Sequence, residues 1–201
     1  MPVIYHSDTV AVWKMEETCD VLSVYLSEEE KDIVSGFSSE KRRLEFCCVR
    51  AAVAFLAGGR PSAVVYDGNG KPALAGVEGL HVSISHTRGY AAVYIGQEDK
   101  GIDIEHRADR VRRVKDMFMS ADEIAAADRD CELTSLLLHW SAKEAVYKIH
   151  GREAYDFKAR LHVSPFKVEG SGVMTVAAPS CRYAVDYLVC KDYVLTLAMR
   201  I

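Results

Sequence analysis

Two short stretches hold most of the chemically capable residues of this chain. In Gly101-Ile102-Asp103-Ile104-Glu105, apolar and acidic residues alternate. Side chains two apart on a strand share a face, so Asp103 and Glu105 project together while Ile102 and Ile104 face a core. In Trp140-Ser141-Ala142-Lys143-Glu144-Ala145-Val146-Tyr147-Lys148, the residues Trp140, Glu144 and Lys148 recur at every fourth position, which stacks them along one side of a helix. Two carboxylates on a strand and a third on a helix make a set of hard oxygen donors suited to Mg²⁺. Lys148, one turn beyond Glu144, is placed to meet a phosphate that such a metal carries. Taken singly, each feature has a plainer reading: a solvated edge strand, a helix ion pair between Glu144 and Lys148, a core tryptophan. Their joint occurrence favours a site.

Other residues suit an anion. Lys71 follows Gly70 and adds a point charge, and Ser85-His86 closes the strand-like run Val82-Ser83-Ile84, offering a hydroxyl and an imidazole. Lys41-Arg42-Arg43 and Arg50 form one basic group; Arg107, Arg110, Arg112, Arg113 and Lys115 form another, directly after the acidic strand. Helix N-termini also favour anions, and the first group opens a helix. For either group alone, a solvated helix face is the plainer reading.

These residues need elements to position them. Ser39 or Ser38 caps a helix running to about Leu56, stopped by Gly58-Gly59. Its apolar positions Leu44, Cys47, Cys48, Ala51 and Phe55 keep a helical period. Capping boxes begin at Ser27 and at Ser120, and Asp67-Gly68-Asn69-Gly70 is a strong turn signal. A hairpin is expected around Thr87-Arg88-Gly89, followed by the acidic strand. A long helix from about Leu133 to Ile149, ended by Gly151, carries Glu144 and Lys148. The tail returns to strands around 183–189 and 193–199. Helices then strands, twice over, suggest two similar halves of an α/β (α+β) chain, with boundaries near 1–100 and 101–201.

The 201-residue chain has 49% hydrophobic and 27% charged residues, ordinary values for a soluble protein with a sizeable core. No run is apolar enough to span a bilayer, and the first residues lack the regions of a signal peptide, so no membrane association and a cytoplasmic location are expected. The six scattered cysteines match neither a zinc pattern nor a secreted disulfide framework. A net charge of −4 with locally concentrated arginines points to a specific anion or an acidic partner, and away from bulk nucleic acid.

At this level the sequence resembles the 4′-phosphopantetheinyl transferases of the surfactin-synthetase-activating type. The blocks Glu40-Lys41-Arg42-Arg43-Leu44-Glu45-Phe46, Tyr66-Asp67-Gly68-Asn69-Gly70-Lys71-Pro72, Val82-Ser83-Ile84-Ser85-His86-Thr87, the acidic strand and the Trp140–Lys148 stretch run in that family's order across residues 37–150. The resemblance implies a pseudo-twofold duplication of two α/β halves with the active site in the cleft between them. It implies transfer of the phosphopantetheine arm of coenzyme A to a carrier-protein serine. It further implies that Asp103, Glu105 and Glu144 bind Mg²⁺, that Glu144 and Lys148 are catalytic, and that Lys148 contacts the coenzyme A pyrophosphate. Lys71, Ser85 and His86 would surround the 3′-phosphate, with Arg42 and Arg50 as further coenzyme A contacts. The nucleotide would fall to the first half. An acidic acyl- or peptidyl-carrier protein is expected to dock near Arg107, Arg110 and Arg113, on a monomer. Ser83 stands where many relatives carry asparagine. Two rivals keep part of this: a Mg²⁺-dependent pyrophosphate hydrolase, which needs no Lys71 with Ser85-His86, and a non-catalytic coenzyme A binding module.

Overall fold

The structure, a computed structural model, describes residues 2–60, 62–150 and 156–201. It is a mixed α/β protein whose sheets are antiparallel, and the chain divides into two compact units, one ending at Glu98 and one beginning at Asp99. Among the described residues no helix is long and apolar enough to cross a membrane.

In the first unit, β1 (Val3–His6), β2 (Val10–Lys14), β5 (His81–Thr87) and β6 (Tyr90–Gly96) form a sheet of order β1-β2-β6-β5. A short hairpin of β3 (Val64–Tyr66) and β4 (Pro72–Leu74) stands beside it, and α1 (Cys19–Leu22) and α2 (Glu28–Ser35) precede the long α3 (Glu40–Leu56). The expected period holds in α3: Cys47, Cys48, Ala51 and Val53 are buried with Ala11, Trp13 and Val93 of the sheet, while Leu44 and Phe55 pack at the margin. Ser39 Oγ accepts the Arg42 N–H, and Gly58 and Gly59, at φ 77° and 83°, turn the chain out of the helix. Asp67 Oδ1 accepts the N–H groups of Asn69 and Lys71, which ties down the turn that presents Lys71.

In the second unit, β7 (Lys100–His106) is followed by α4 (Arg110–Phe118), α5 (Ala121–Ala126), α6 (Glu132–His150) and α7 (Phe157–Arg160). Then come β8 (His162–Val163), β9 (Ser171–Ala178), β10 (Cys181–Val189) and β11 (Tyr193–Arg200), and the sheet order is β7-β11-β10-β9-β8. Leu136, Leu138, Ala142, Ala145 and Val146 of α6 are buried against Val176, Val185, Val194 and Ala198. Such a helix, apolar on most sides, belongs in a core. Gly151, expected to end it, lies outside the described residues.

The helix lies very close to the strand. A Cβ on Gly101 would fall 1.9 Å from the Ala145 carbonyl oxygen and 2.9 Å from its carbon. Backbone cannot yield as a flexible side chain does, so Gly101→Ala should cost at least about 2 kcal/mol, read as a lowered thermal midpoint.

Both units repeat one buried arrangement. In the first, Glu30 completes the capping box of α2 with its Oε2, while its Oε1 accepts from Arg50 Nε (2.8 Å) and Val64 N–H (3.2 Å). In the second, Glu123 completes the capping box of α5, accepts from Lys143 Nζ (2.9 Å), and takes the Val163 N–H on Oε1 (2.8 Å). In each, a capping carboxylate meets a cation from the long helix 20 residues on. The sequence predicts both capping boxes; it does not reveal their second task.

Candidate active site

Because Gly101 faces α6, period two sends Asp103 and Glu105 toward the same helix. Helix and strand run in opposite senses, so rising helix numbers meet falling strand numbers. Trp140 Nε1 donates to Glu105 Oε1 at 2.7 Å; Lys148 Nζ donates to Ile102 O at 2.6 Å and to Asp103 Oδ1 at 3.0 Å. Ile102 and Ile104 are buried on the opposite face, as the alternation requires. Asp103 is itself buried, so this is no solvated edge.

The electrostatics follow from crowding. Burial pushes the Glu105 carboxyl up to about 7, the Asp103 charge adds to this, and the Trp140 N–H opposes it. Glu144 is likewise pushed up to about 7 by burial and by Asp103, against the pull of Lys148. Three coupled carboxylates facing one lysine leave an excess of negative charge. That excess and the hard-oxygen donor set fit Mg²⁺. Among the described residues no three such side chains stand together as a ready-made cage. Mg²⁺ needs none, since one or two carboxylates suffice when water and phosphate oxygens fill the remaining positions.

Residues 100–198 match the family model of the 4′-phosphopantetheinyl transferase superfamily. This half of the chain belongs to that superfamily. The match supports a transferase of the phosphopantetheinyl kind, and it contains Asp103, Glu105, Glu144 and Lys148. No curated protein matches the chain.

The other expected site residues lie in the first unit, outside that superfamily match. Lys71 is half-buried beyond its turn, Ser85 is buried and His86 exposed, the two on successive and therefore opposite faces of β5. His86 Nδ1 lies 3.8 Å from Glu45, which stands 3.6 Å from Lys41 Nζ. A cavity of about 360 Å³ opens there, lined by Met15, Lys41, Leu44, Glu45, Arg88 and Gly89. Arg42 is exposed, its guanidinium 5.0 Å from the Phe37 ring centre. Arg50 is different: 3% exposed, paired to Glu30 and stacked 3.7 Å over Phe46, it is part of the scaffold. One sequence signal locates it, since position 50 falls on the apolar stripe of Cys47, Ala51 and Ala54 and a cation there needs a buried partner.

Sequence reasoning also missed two residues of α6. Trp140 packs edge-on to Phe118 at 5.1 Å, the core role expected, yet also holds a site carboxylate. Lys143, next to Glu144, turns the other way into full burial.

Proposed function

We propose that the protein is a holo-carrier-protein synthase, moving the 4′-phosphopantetheine arm of coenzyme A to a serine hydroxyl of an acyl- or peptidyl-carrier protein and releasing adenosine 3′,5′-bisphosphate. The observation that carries this reading is the juxtaposition, inside the superfamily-matched unit, of Asp103, Glu105 and Glu144 with Lys148. These carboxylates would hold Mg²⁺, which when bound withdraws charge from the pyrophosphate under attack.

This chain's own side chains do the rest. Lys148, a compact cation beside Asp103, offsets charge growing on the departing phosphate oxygens, an effect worth ~3 kcal/mol in comparable sites. Glu144 serves as ligand or as acceptor of the serine proton, and either duty needs its carboxylate. Lys71, Ser85, His86 and Arg42 are proposed to meet the nucleotide end of coenzyme A. The repeated capping-box arrangement supports descent of the two units from one duplicated ancestor.

The deciding experiment incubates the protein with coenzyme A, Mg²⁺ and an apo carrier protein and weighs the carrier. The expected gain is one phosphopantetheine, lost on chelation; coenzyme A binding with no gain on several carriers favours a binding module instead.

The carrier is proposed to dock on α4, where Arg110 and Arg113 are exposed and Arg107 lies just upstream, while Arg112 is tied to Glu132 and Asp109. Reversing both charges, Arg110→Glu with Arg113→Glu, should raise KM for the carrier about tenfold and leave that for coenzyme A unchanged. Equal effects on both substrates would count against this face.

A further inference from the structure

The indole of Trp140 does two things at once, and only one of them is packing. Its ring is wedged among aromatics, edge-on to Phe118 at 5.1 Å and tilted against Phe157 at 5.6 Å. Those contacts fix the ring plane and therefore the direction of its single donor. That donor meets Glu105 Oε1 at 2.7 Å, the short distance typical of a bond to a charged acceptor. Phe118 is almost fully buried at the end of α4, so the wedge is anchored on a second element.

We infer that Trp140 is a positioning residue: its indole N–H fixes the direction of the Glu105 carboxylate and so sets the strength with which this site holds a divalent cation. The inference rests on the proposed role of Glu105. Trp140 touches no substrate in this assignment and acts only through the carboxylate. A carboxylate on a flexible side chain loses rotational freedom when it ligates, and a fixed donor removes part of that freedom beforehand. Phenylalanine at this position keeps the ring and most of its contacts but has no donor, which separates the two roles.

The test titrates Mn²⁺, as a probe of the site, into wild type, Trp140→Phe, Glu105→Ala and the double variant, with calorimetry as readout. Loss of the donor is expected to weaken Mn²⁺ binding about tenfold or more, and to lower kcat with little change in KM for the carrier. In the Glu105→Ala background the same substitution should change nothing further, because its effect passes through that carboxylate. Additive losses, or equal affinity of wild type and Trp140→Phe, would overturn the inference. Wild type that binds no Mn²⁺ at all would instead overturn the metal-site reading itself.

A second measurement needs no change at Trp140. The chain has two tryptophans, so an amide spectrum of the ¹⁵N-labelled protein shows two indole resonances. Trp13 donates to Glu17, and Glu17→Ala identifies its signal by the shift it causes. The remaining resonance should move on Glu105→Ala and on addition of Mg²⁺ to wild type. An unmoved Trp140 signal in Glu105→Ala would show that the bond is not there, whatever the fate of the phenylalanine variant.

Discussion

Glu144→Gln should reduce phosphopantetheine transfer by at least about a hundredfold while leaving the protein folded and, above neutral pH, more stable than wild type. The two halves of this result have one cause. Burial, with Asp103 alongside, raises the Glu144 carboxyl to about 7. The folded state thus binds a proton more tightly than the unfolded chain does. That contribution favours folding below the ordinary carboxylate value of 4.5 and is lost as pH rises through about 7. Glutamine, of the same size and never charged, escapes the penalty, a gain on the order of 1–3 kcal/mol at pH 8 without added divalent cation. It also removes the oxygen charge that the reaction needs. Thermal melts from pH 5 to 8 beside turnover measurements check both halves. A variant that transfers at the wild-type rate would remove Glu144 from the mechanism. One that melts lower at pH 8 would show that its carboxylate is better satisfied than burial implies.

Lys143→Met should be the most damaging single change to the second unit, costing about 3–5 kcal/mol, or roughly 10 °C in thermal midpoint. Lys143 is fully buried, and its Nζ reaches Glu123, Phe118 O and Phe157 O. Methionine fills the space but strands the Glu123 carboxylate, which is equally enclosed. Burial works against that carboxylate, yet hydrogen bonds from Lys143, Ser120 and Val163 outweigh it and hold its pKa below the ordinary value. Its stabilising contribution is present above pH 4.5 and fades as pH falls below it. In the variant the stranded carboxylate instead takes up a proton readily, so the gap from wild type should narrow in acid. Adding Glu123→Gln should recover part of the loss at neutral pH, since the charge left behind, more than lost packing, carries the cost. Two additive losses would contradict this.

These two neighbours mark how far the sequence could be read. Alternation in residues 101–105 and four-residue recurrence from Trp140 to Lys148 are geometric statements, and strand β7 and helix α6 realise both. Capping boxes at Ser27 and Ser120 were legible for the same reason, being local hydrogen-bond patterns. Lys143 was not legible. Consecutive helix positions point about 100° apart, so Glu144 and Lys143 must face different surroundings, but which of them meets solvent depends on α5 and α7, many residues away. Arg50 is the intermediate case: expected as a cation for substrate, it lies buried against Glu30, an interior position that the apolar stripe around it marks. Trp140 shows a further limit: a pattern of apolar spacing reports where a ring is buried and says nothing of where its one N–H points.

The paired capping-box carboxylates separate what holds this protein together from what it does. Arg50 in one unit and Lys143 in the other occupy the same station, each 20 residues after its carboxylate. Counted from that station, the residue three before is Cys47 in the first unit and Trp140 in the second; the next residue is Ala51 or Glu144; five on stands Phe55 or Lys148. One chassis therefore occurs twice, with inert fittings in the first instance and reactive ones in the second. Damage to the chassis should be felt as lost stability in whichever unit bears it, whereas damage to the fittings should reach the chemistry only in the second unit.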